Sequence, residues 1–361
     1  MQRRLFIIER TQNKMEQFQV LVVDDSAFMR RGISQLLEED PCFHVVGIAR
    51  NGMEAVEKVQ RLKPDLVTMD VEMPEMNGLE ALKHIMNHFP VPVVMLSSYT
   101  REGARETLAA LELGAVDFFL KDQLLKKPAE KGQVHDFLHR LKGIVKGKLP
   151  STSPRIQLQK NAKIKSTPHT IELVFIGCST GGPSALQKIL PCFPKDFPIP
   201  VVVAQHMPPS FTKPLADRFD TLCNLRVREI QNGEEVTAGT IYIAPSGYQT
   251  RFKKREDGSI LFVVDDQDEQ ALYKPSIDIS LCSAAPIYHQ RLLAVILTGM
   301  GTDGMHGCGL VKKYNGTVLV EAKESCVVYG MPKAVYEAGY ADGQFELSEI
   351  FHQIIASING R

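Results

Sequence analysis

The sequence has no surplus of either charge: its 361 residues carry 42 Lys and Arg against 42 Asp and Glu. A nucleic-acid binder usually shows a net basic excess or a basic stripe, so this balance argues against that class. Long hydrophobic runs are also missing, and nothing approaches the roughly 18–20 apolar residues that a membrane-spanning helix needs. Arg3 and Arg4 precede only a short apolar stretch at 5–8, which Glu9 interrupts, so no secretion signal is expected. Closely paired cysteines are absent as well. The seven present are odd in number and scattered, which fits a reducing cytosol better than a disulfide scaffold or a zinc site. No internal repeat of fixed period is found. What remains is ordinary for a soluble globular protein, 44% hydrophobic and 23% charged. At about 150 residues per domain the length suggests two or three domains.

Two stretches look folded. Residues 19–141 alternate short apolar strands, expected at 20–23, 44–48, 66–69, 93–96 and 117–119, with amphipathic helices, the last expected over 135–145. Buried strands separated by helices imply a parallel sheet covered on both faces. Residues 142–170 are rich in Lys, Ser, Pro and Gly and read as a linker. From 171 to 361 a second α/β stretch has strands expected at 173–176, 201–204, 240–244, 260–264, 293–297 and 317–320. The strand at 260–264, after the Asp257-Gly258 turn, is expected to pair antiparallel with the one before it. Residues 1–18 precede the first strand as an extension of mixed charge.

Chemistry concentrates where expected strands end. Asp24 and Asp25 follow the first strand, Asp70 follows the third, Ser97 follows the fourth and Lys121 follows the fifth. In a doubly wound sheet these ends share one edge, where ligands bind. Three carboxylates gathered there repel one another unless a cation bridges them, and all-oxygen ligation suits Mg²⁺. Such a group can hold a phosphoryl moiety, with Asp70 as nucleophile and Ser97 and Lys121 gripping its oxygens. Any one acidic residue at a strand end is more often a solvated turn residue; five functional groups at matching ends are not.

In the second stretch, Gly177-Cys178-Ser179-Thr180-Gly181-Gly182 follows a strand and opens a helix at Pro183. The G-x-S-x-G spacing is that of a nucleophile elbow, which exposes a serine hydroxyl beside free helix amides. A glycine-rich turn can also cradle phosphate, although no P-loop lysine follows and the glycine spacing misses the dinucleotide fingerprint. Two more strand ends favour the serine. His206 follows the strand at 201–204, and Asp303 sits in a glycine-rich loop after 293–297. If those strands are neighbours, His206 becomes the base for Ser179 and Asp303 its acceptor. His306 rivals His206 as the base. Cys178 reads as packing, Cys308 lies near Asp303 with no base of its own, and Met300 reads as a backbone oxyanion donor between two glycines.

The motifs resemble two families. LVVDDS, MDVEMPEMNG, MLSS and DFFLKD are similar to the response-regulator receiver domain, and IGCSTGGP, AQHMP and LTGMGTDG to the chemotaxis protein-glutamate methylesterases of CheB type. The resemblance covers nearly all of the chain from Gln19. It implies a flavodoxin-like receiver with a five-stranded parallel sheet, then a doubly wound α/β methylesterase domain with a mostly parallel sheet. It also implies a backbone carbonyl of Glu72 on the metal, support of the histidine by Thr180, and demethylation and deamidation of methyl-accepting chemotaxis receptors. The phosphodonor would be a chemotaxis histidine kinase, and the unphosphorylated receiver would cover the catalytic edge. Two departures stand out: Asp122 where the receiver family usually has Pro, and Cys178 where the esterase family usually has Ala. A receiver with a binding or scaffolding output, or a peptidase using the same triad, are the alternatives. A DNA reader would need a basic helix-turn-helix, and none is found after Ile171.

Overall fold

Apolar runs rich in Val, Ile and Leu, buried on both faces, build two parallel sheets. The computed structural model describes residues 17–98, 101–125, 131–147, 171–267 and 271–359. The expected extension therefore lies almost wholly outside the described residues, as does most of the expected linker. The first sheet has the order β2-β1-β3-β4-β5, with β1 Phe18–Val23, β2 Phe43–Ala49, β3 Leu66–Asp70, β4 Val93–Ser97 and β5 Asp117–Leu120. Around it lie α1 Ala27–Glu38, α2 Gly52–Leu62, α3 Gly78–His88, α4 Arg101–Glu112, α5 Lys121–Leu125 and α6 Lys131–Lys146. Side chains of Asn51 and Asn77 accept the amides of Glu54 and Glu80 at 2.9 Å, capping α2 and α3, each worth about 1 kcal/mol.

The second sheet comprises β6 Leu173–Cys178, β7 Val201–Gln205, β8 Arg226–Glu229, β9 Thr240–Ile243, β12 Leu292–Ile296, β13 Thr317–Glu321 and β14 Gly343–Phe345. Its order is β14-β13-β12-β6-β7-β9-β8, parallel at every pairing. A separate antiparallel ribbon pairs β10 Gln249–Lys254 with β11 Ile260–Asp265. The helices are α7 Gly182–Ile189, α8 Thr212–Leu222, α9 Ile277–Tyr288, α10 Met305–Lys313, α11 Met331–Glu337 and α12 Leu347–Ile358. No helix among the described residues is long and apolar enough to cross a membrane.

Three differences from the sequence expectations have physical causes. The strand at 260–265 pairs with β10, not with β9; β10 reads QTRFKK, too polar to stand out as a strand. The edge strands β8 and β14 were missed because one is charged and the other only three residues long. Helix α6 runs through the expected boundary at 141/142 to Lys146. Gly143 and Gly147 weaken helix propensity, but they let α6 lie directly on the second half of the chain. A Cβ on Gly147 would come within 2.0 Å of the Val327 carbonyl oxygen, and one on Gly143 within 3.0 Å of Met300 Cε. Tertiary packing overrides local preference here.

The two halves meet elsewhere too. Phe118 of β5 stacks on Phe211 with ring centroids 4.7 Å apart, and Arg218 of α8 pairs with Glu112 of α4 at 2.7 Å. Leu141 and Ile144 of α6 share one apolar cluster with Val327 and Val328.

Candidate functional site

At the carboxyl edge of the first sheet, one carboxylate oxygen each from Asp24, Asp25 and Asp70 lie within 4.8 Å of one another. Asp24 and Asp70 are buried and Asp25 is exposed. Lys121 joins them despite Asp122 at the next position: its Nζ lies 2.6 Å from Asp70 Oδ2 and 2.8 Å from Asp24 Oδ2. Burial pushes the Asp70 carboxyl up to about 6, against the pull of Lys121 and with a further push from Asp24 and Asp25. Burial also opposes the Lys121 charge, yet Asp70 and Asp24 hold its ammonium above the usual lysine range. Three hard oxygen donors gathered there, only two of them paired with the ammonium, fit a divalent cation such as Mg²⁺. Glu72 follows with an exposed side chain outside this cluster, as a residue expected to act through its carbonyl would. Ser97 sits elsewhere. Its hydroxyl is buried and takes a hydrogen bond from Thr107 Oγ1 at 2.8 Å, turned towards α4, with no bond to Asp70 or Lys121 among the described residues.

The second edge is built from three neighbouring strands. Because β12, β6 and β7 lie side by side, the loops bearing Asp303, Ser179 and His206 emerge together. Gly181 makes the sharp turn into α7 with φ +78°, and a Cβ there would meet Val327 Cγ2 at 2.6 Å. The Ser179 amide donates to Thr298 O at 3.0 Å, and its carbonyl accepts Gly182 N–H at 2.7 Å. Gln205, buried at the end of β7, donates from Nε2 to the carbonyls of Ser179 and His206 at 3.0 and 2.9 Å. One amide group thus ties the two loops together.

His206 Nε2 lies 2.8 Å from Asp303 Oδ2. Its Nδ1 is enclosed and has no hydrogen-bond partner among the described residues. The Asp303 carboxylate also accepts Ser276 Oγ at 3.0 Å and the amides of Ile277 at 2.7 Å, Asp278 at 3.0 Å and Gly304 at 3.1 Å. Burial alone would raise its pKa, but the His206 bond and the amides of Asp278 and Ile277 hold it below the usual carboxylate range. Ser179 and His206 line one cleft of about 580 Å³, with Met300, Tyr273 and Pro208. Ser179 Oγ makes no hydrogen bond among the described residues. Nucleophile–base contacts commonly tighten only when substrate binds.

Met300 stands on a braced loop, with Gly299 N–H donating to Val328 O at 3.0 Å and Gly299 O accepting the amides of Gly330 and Met331. Below that loop Glu321 is fully buried; its carboxylate accepts Thr298 N–H at 2.7 Å and Ser325 Oγ at 2.9 Å, and burial pushes it up to about 7. Thr180 does not bond to His206 among the described residues. Its hydroxyl instead accepts Arg140 Nε at 3.0 Å. The same guanidinium pairs with Asp117 and lies 4.4 Å over the Phe119 ring. Arg140, Asp136 and Phe119 face the serine and histidine from across the cleft. His306 is exposed on α10, away from the cleft, so His206 is the imidazole at this site. Cys178 and Cys308 are fully buried, and burial pushes both thiols well above their usual range, so both pack rather than react.

Sequence reasoning missed Arg140, Gln205, Glu321, Thr107 and Tyr273. Only Gln205 carried a signal, since its place just before His206 puts it at a strand end.

Comparison with known proteins finds two matching families. Residues 174–354 match the family described as CheB methylesterase, and residues 20–130 match the response regulator receiver domain. The protein-glutamate methylesterase/protein-glutamine glutaminase of Thermotoga maritima is 46% identical over 327 residues, covering 90% of this chain and 93% of that protein. The protein of the same name from Bacillus licheniformis is 43% identical over 350 residues, covering 92% and 96%. The crystal structure of the Thermotoga maritima CheB methylesterase catalytic domain is 48% identical with a TM-score of 0.50, covering 52% of this chain and 98% of that one.

Proposed function

Because this chain belongs to the CheB methylesterase family, we propose that it is a phosphorylation-regulated serine hydrolase that demethylates glutamyl methyl esters and deamidates glutamines on methyl-accepting chemotaxis receptors. The observation that carries this reading is the pairing of His206 Nε2 with a five-donor Asp303, which leaves the enclosed Nδ1 without a partner beside the cleft that His206 and Ser179 line.

Ser179 Oγ attacks the side-chain carbonyl carbon of the ester while His206 Nδ1 takes its proton. Asp303 fixes the tautomer and balances the imidazolium charge. The Met300 N–H and the elbow amides receive the oxyanion. The C–O bond then breaks and methanol leaves with the proton from His206. Water, deprotonated by the same nitrogen, hydrolyses the acyl-serine to glutamate. A glutamine substrate follows the same course with ammonia as the leaving group.

At the receiver edge, Asp70 attacks the phosphorus of a phosphohistidine on a chemotaxis histidine kinase, and the imidazole leaves. Asp24, Asp25, Asp70 and the Glu72 carbonyl would hold Mg²⁺, which when bound neutralises charge on the transferring phosphoryl group. Lys121 contacts the phosphoryl oxygens, and Ser97 reaches them once it leaves Thr107. Regulation follows from contact: α6 walls the cleft, Arg140 holds Thr180, and Gly143 lets the helix seat on Met300. Phosphorylation that shifts α6 or β5 opens the cleft. Action in the cytoplasm fits the seven cysteines, all free.

Methanol release from methylated receptor membranes, with a phosphodonor and Mg²⁺ present, tests the reading. Wild-type chain should release methanol and Ser179→Ala should fall by about 10⁶. Near wild-type turnover in that variant would overturn the assignment.

A further inference from the structure

The His206–Asp303 bond alone does not fix the imidazole, because a ring held by one hydrogen bond can still pivot about that bond. A second contact meets its flat face. The Tyr273 ring lies parallel to it, with centroids 4.1 Å apart and planes 9° from parallel. We propose that Tyr273 is a positioning residue for the esterase, holding the His206 ring in the plane where Nε2 meets Asp303 and Nδ1 stays available to Ser179. This rests on the triad reading given above and adds a residue to it.

Tyr273 is itself tied, through Gln249, to a group that holds Asp303. Gln249, fully buried, donates from Nε2 to the Tyr273 carbonyl at 2.8 Å, and its Oε1 accepts the Ser276 amide at 2.8 Å. Ser276 Oγ donates to Asp303 Oδ1 at 3.0 Å, and Ile277 N–H to Oδ2 at 2.7 Å. The Lys274 carbonyl accepts Gly247 N–H at 3.0 Å. The short segment from Tyr273 to Ile277 therefore carries both the aromatic face against the imidazole and the donors on its carboxylate partner. Because one buried glutamine spans that segment, stack and carboxylate keep a fixed relation. The stack also shields one face of the base from water, and an aromatic face favours the imidazolium that forms during acylation. The contact is to the ring face rather than to the hydroxyl, so the ring is what matters.

The test uses the full chain, phosphorylated, with methylated receptor membranes as substrate. Tyr273→Leu, which keeps an apolar side chain but loses the flat face, should lower kcat by about 10- to 100-fold, as a misplaced catalytic group does, with KM within about threefold. Tyr273→Phe should restore kcat to within about twofold. A loss confined to KM would make Tyr273 a substrate-contacting wall and overturn the proposal. So would a Phe variant as impaired as the Leu variant, or a Leu variant with unchanged kcat. Should Tyr273→Leu not fold, Tyr273→Met replaces it under the same criteria. NMR of ring-labelled histidine reads the stack without any reaction. His206 ring protons should be shifted upfield in wild type and Tyr273→Phe, and should lose that shift with rotamer averaging in Tyr273→Leu. Unchanged His206 signals in Tyr273→Leu would overturn the proposal. A wild-type chain that releases no methanol but shows the ring-current shift would instead count against the esterase reading.

Discussion

Two carboxylates at two sheet edges face opposite surroundings. Asp70 shares one ammonium with Asp24, has Asp25 close by, and is pushed up to about 6. Asp303 has five donors to itself and is held below the usual range. The first edge is left short of positive charge, which suits a place where a cation and a phosphoryl group come and go. The second has its charge already balanced, which suits electrostatic preorganisation for a reaction. Similar strand-end geometry thus serves for switching in one half of the chain and for catalysis in the other, and the count of donors around each acid separates them.

The sharpest way to break that comparison is to exchange the demands. Asp303→Asn keeps the shape of the catalytic edge but offers His206 the wrong partner, and methanol release should fall by about 10⁴ while acyl phosphate still forms on Asp70. Asp70→Asn should do the reverse, abolishing hydroxylamine-labile phosphate and the response to phosphodonor while leaving unstimulated turnover intact. A shared loss in both assays for either variant would show that the edges are not separable.

Glu321 sharpens the comparison, because it lies under the catalytic edge and yet is raised like Asp70. Its folded pKa of about 7 lies above the unfolded value of about 4.3, so the folded chain binds more protons between those values. Its contribution therefore lowers stability as pH rises through that window. Glu321→Gln should remove this effect, and its stability relative to wild type should improve by about 3 kcal/mol between pH 4.5 and pH 8. Urea unfolding at both pH values measures it, and a pH-independent difference would contradict the assignment. A smaller effect is expected where the edges touch. Arg140→Ala removes the charged hydrogen bond to Thr180 and should raise unstimulated methanol release by about tenfold. Unchanged or lower release would mean that Arg140 does not restrain the cleft.

Much of this was legible in the sequence because both sites sit where buried strands end. Val, Ile and Leu runs marked β1, β3, β6, β7 and β12, and the residues just past them carried the chemistry. Polar strands such as β10 and the three-residue β14 gave no periodic signal. Arg140 and Tyr273 were invisible for another reason: each acts through a contact made across a long sequence separation, Arg140 with Thr180 and Tyr273 with His206. Ser97 was rightly noticed as a hydroxyl at a strand end, but its partner Thr107 is set by how α4 packs, which spacing does not reveal. Gly143 and Gly147 read as linker composition until the side chains of Met300 and Val328 came to lie against the first and the backbone of Val327 against the second.

Labelling with a serine-reactive phosphonate, read by peptide mass on the full chain before and after phosphorylation, tests the Ser179 site and its control most directly. A single adduct on Ser179, forming faster once Asp70 carries phosphate, is the expected result. An adduct on another residue, or a rate indifferent to phosphorylation, would contradict it.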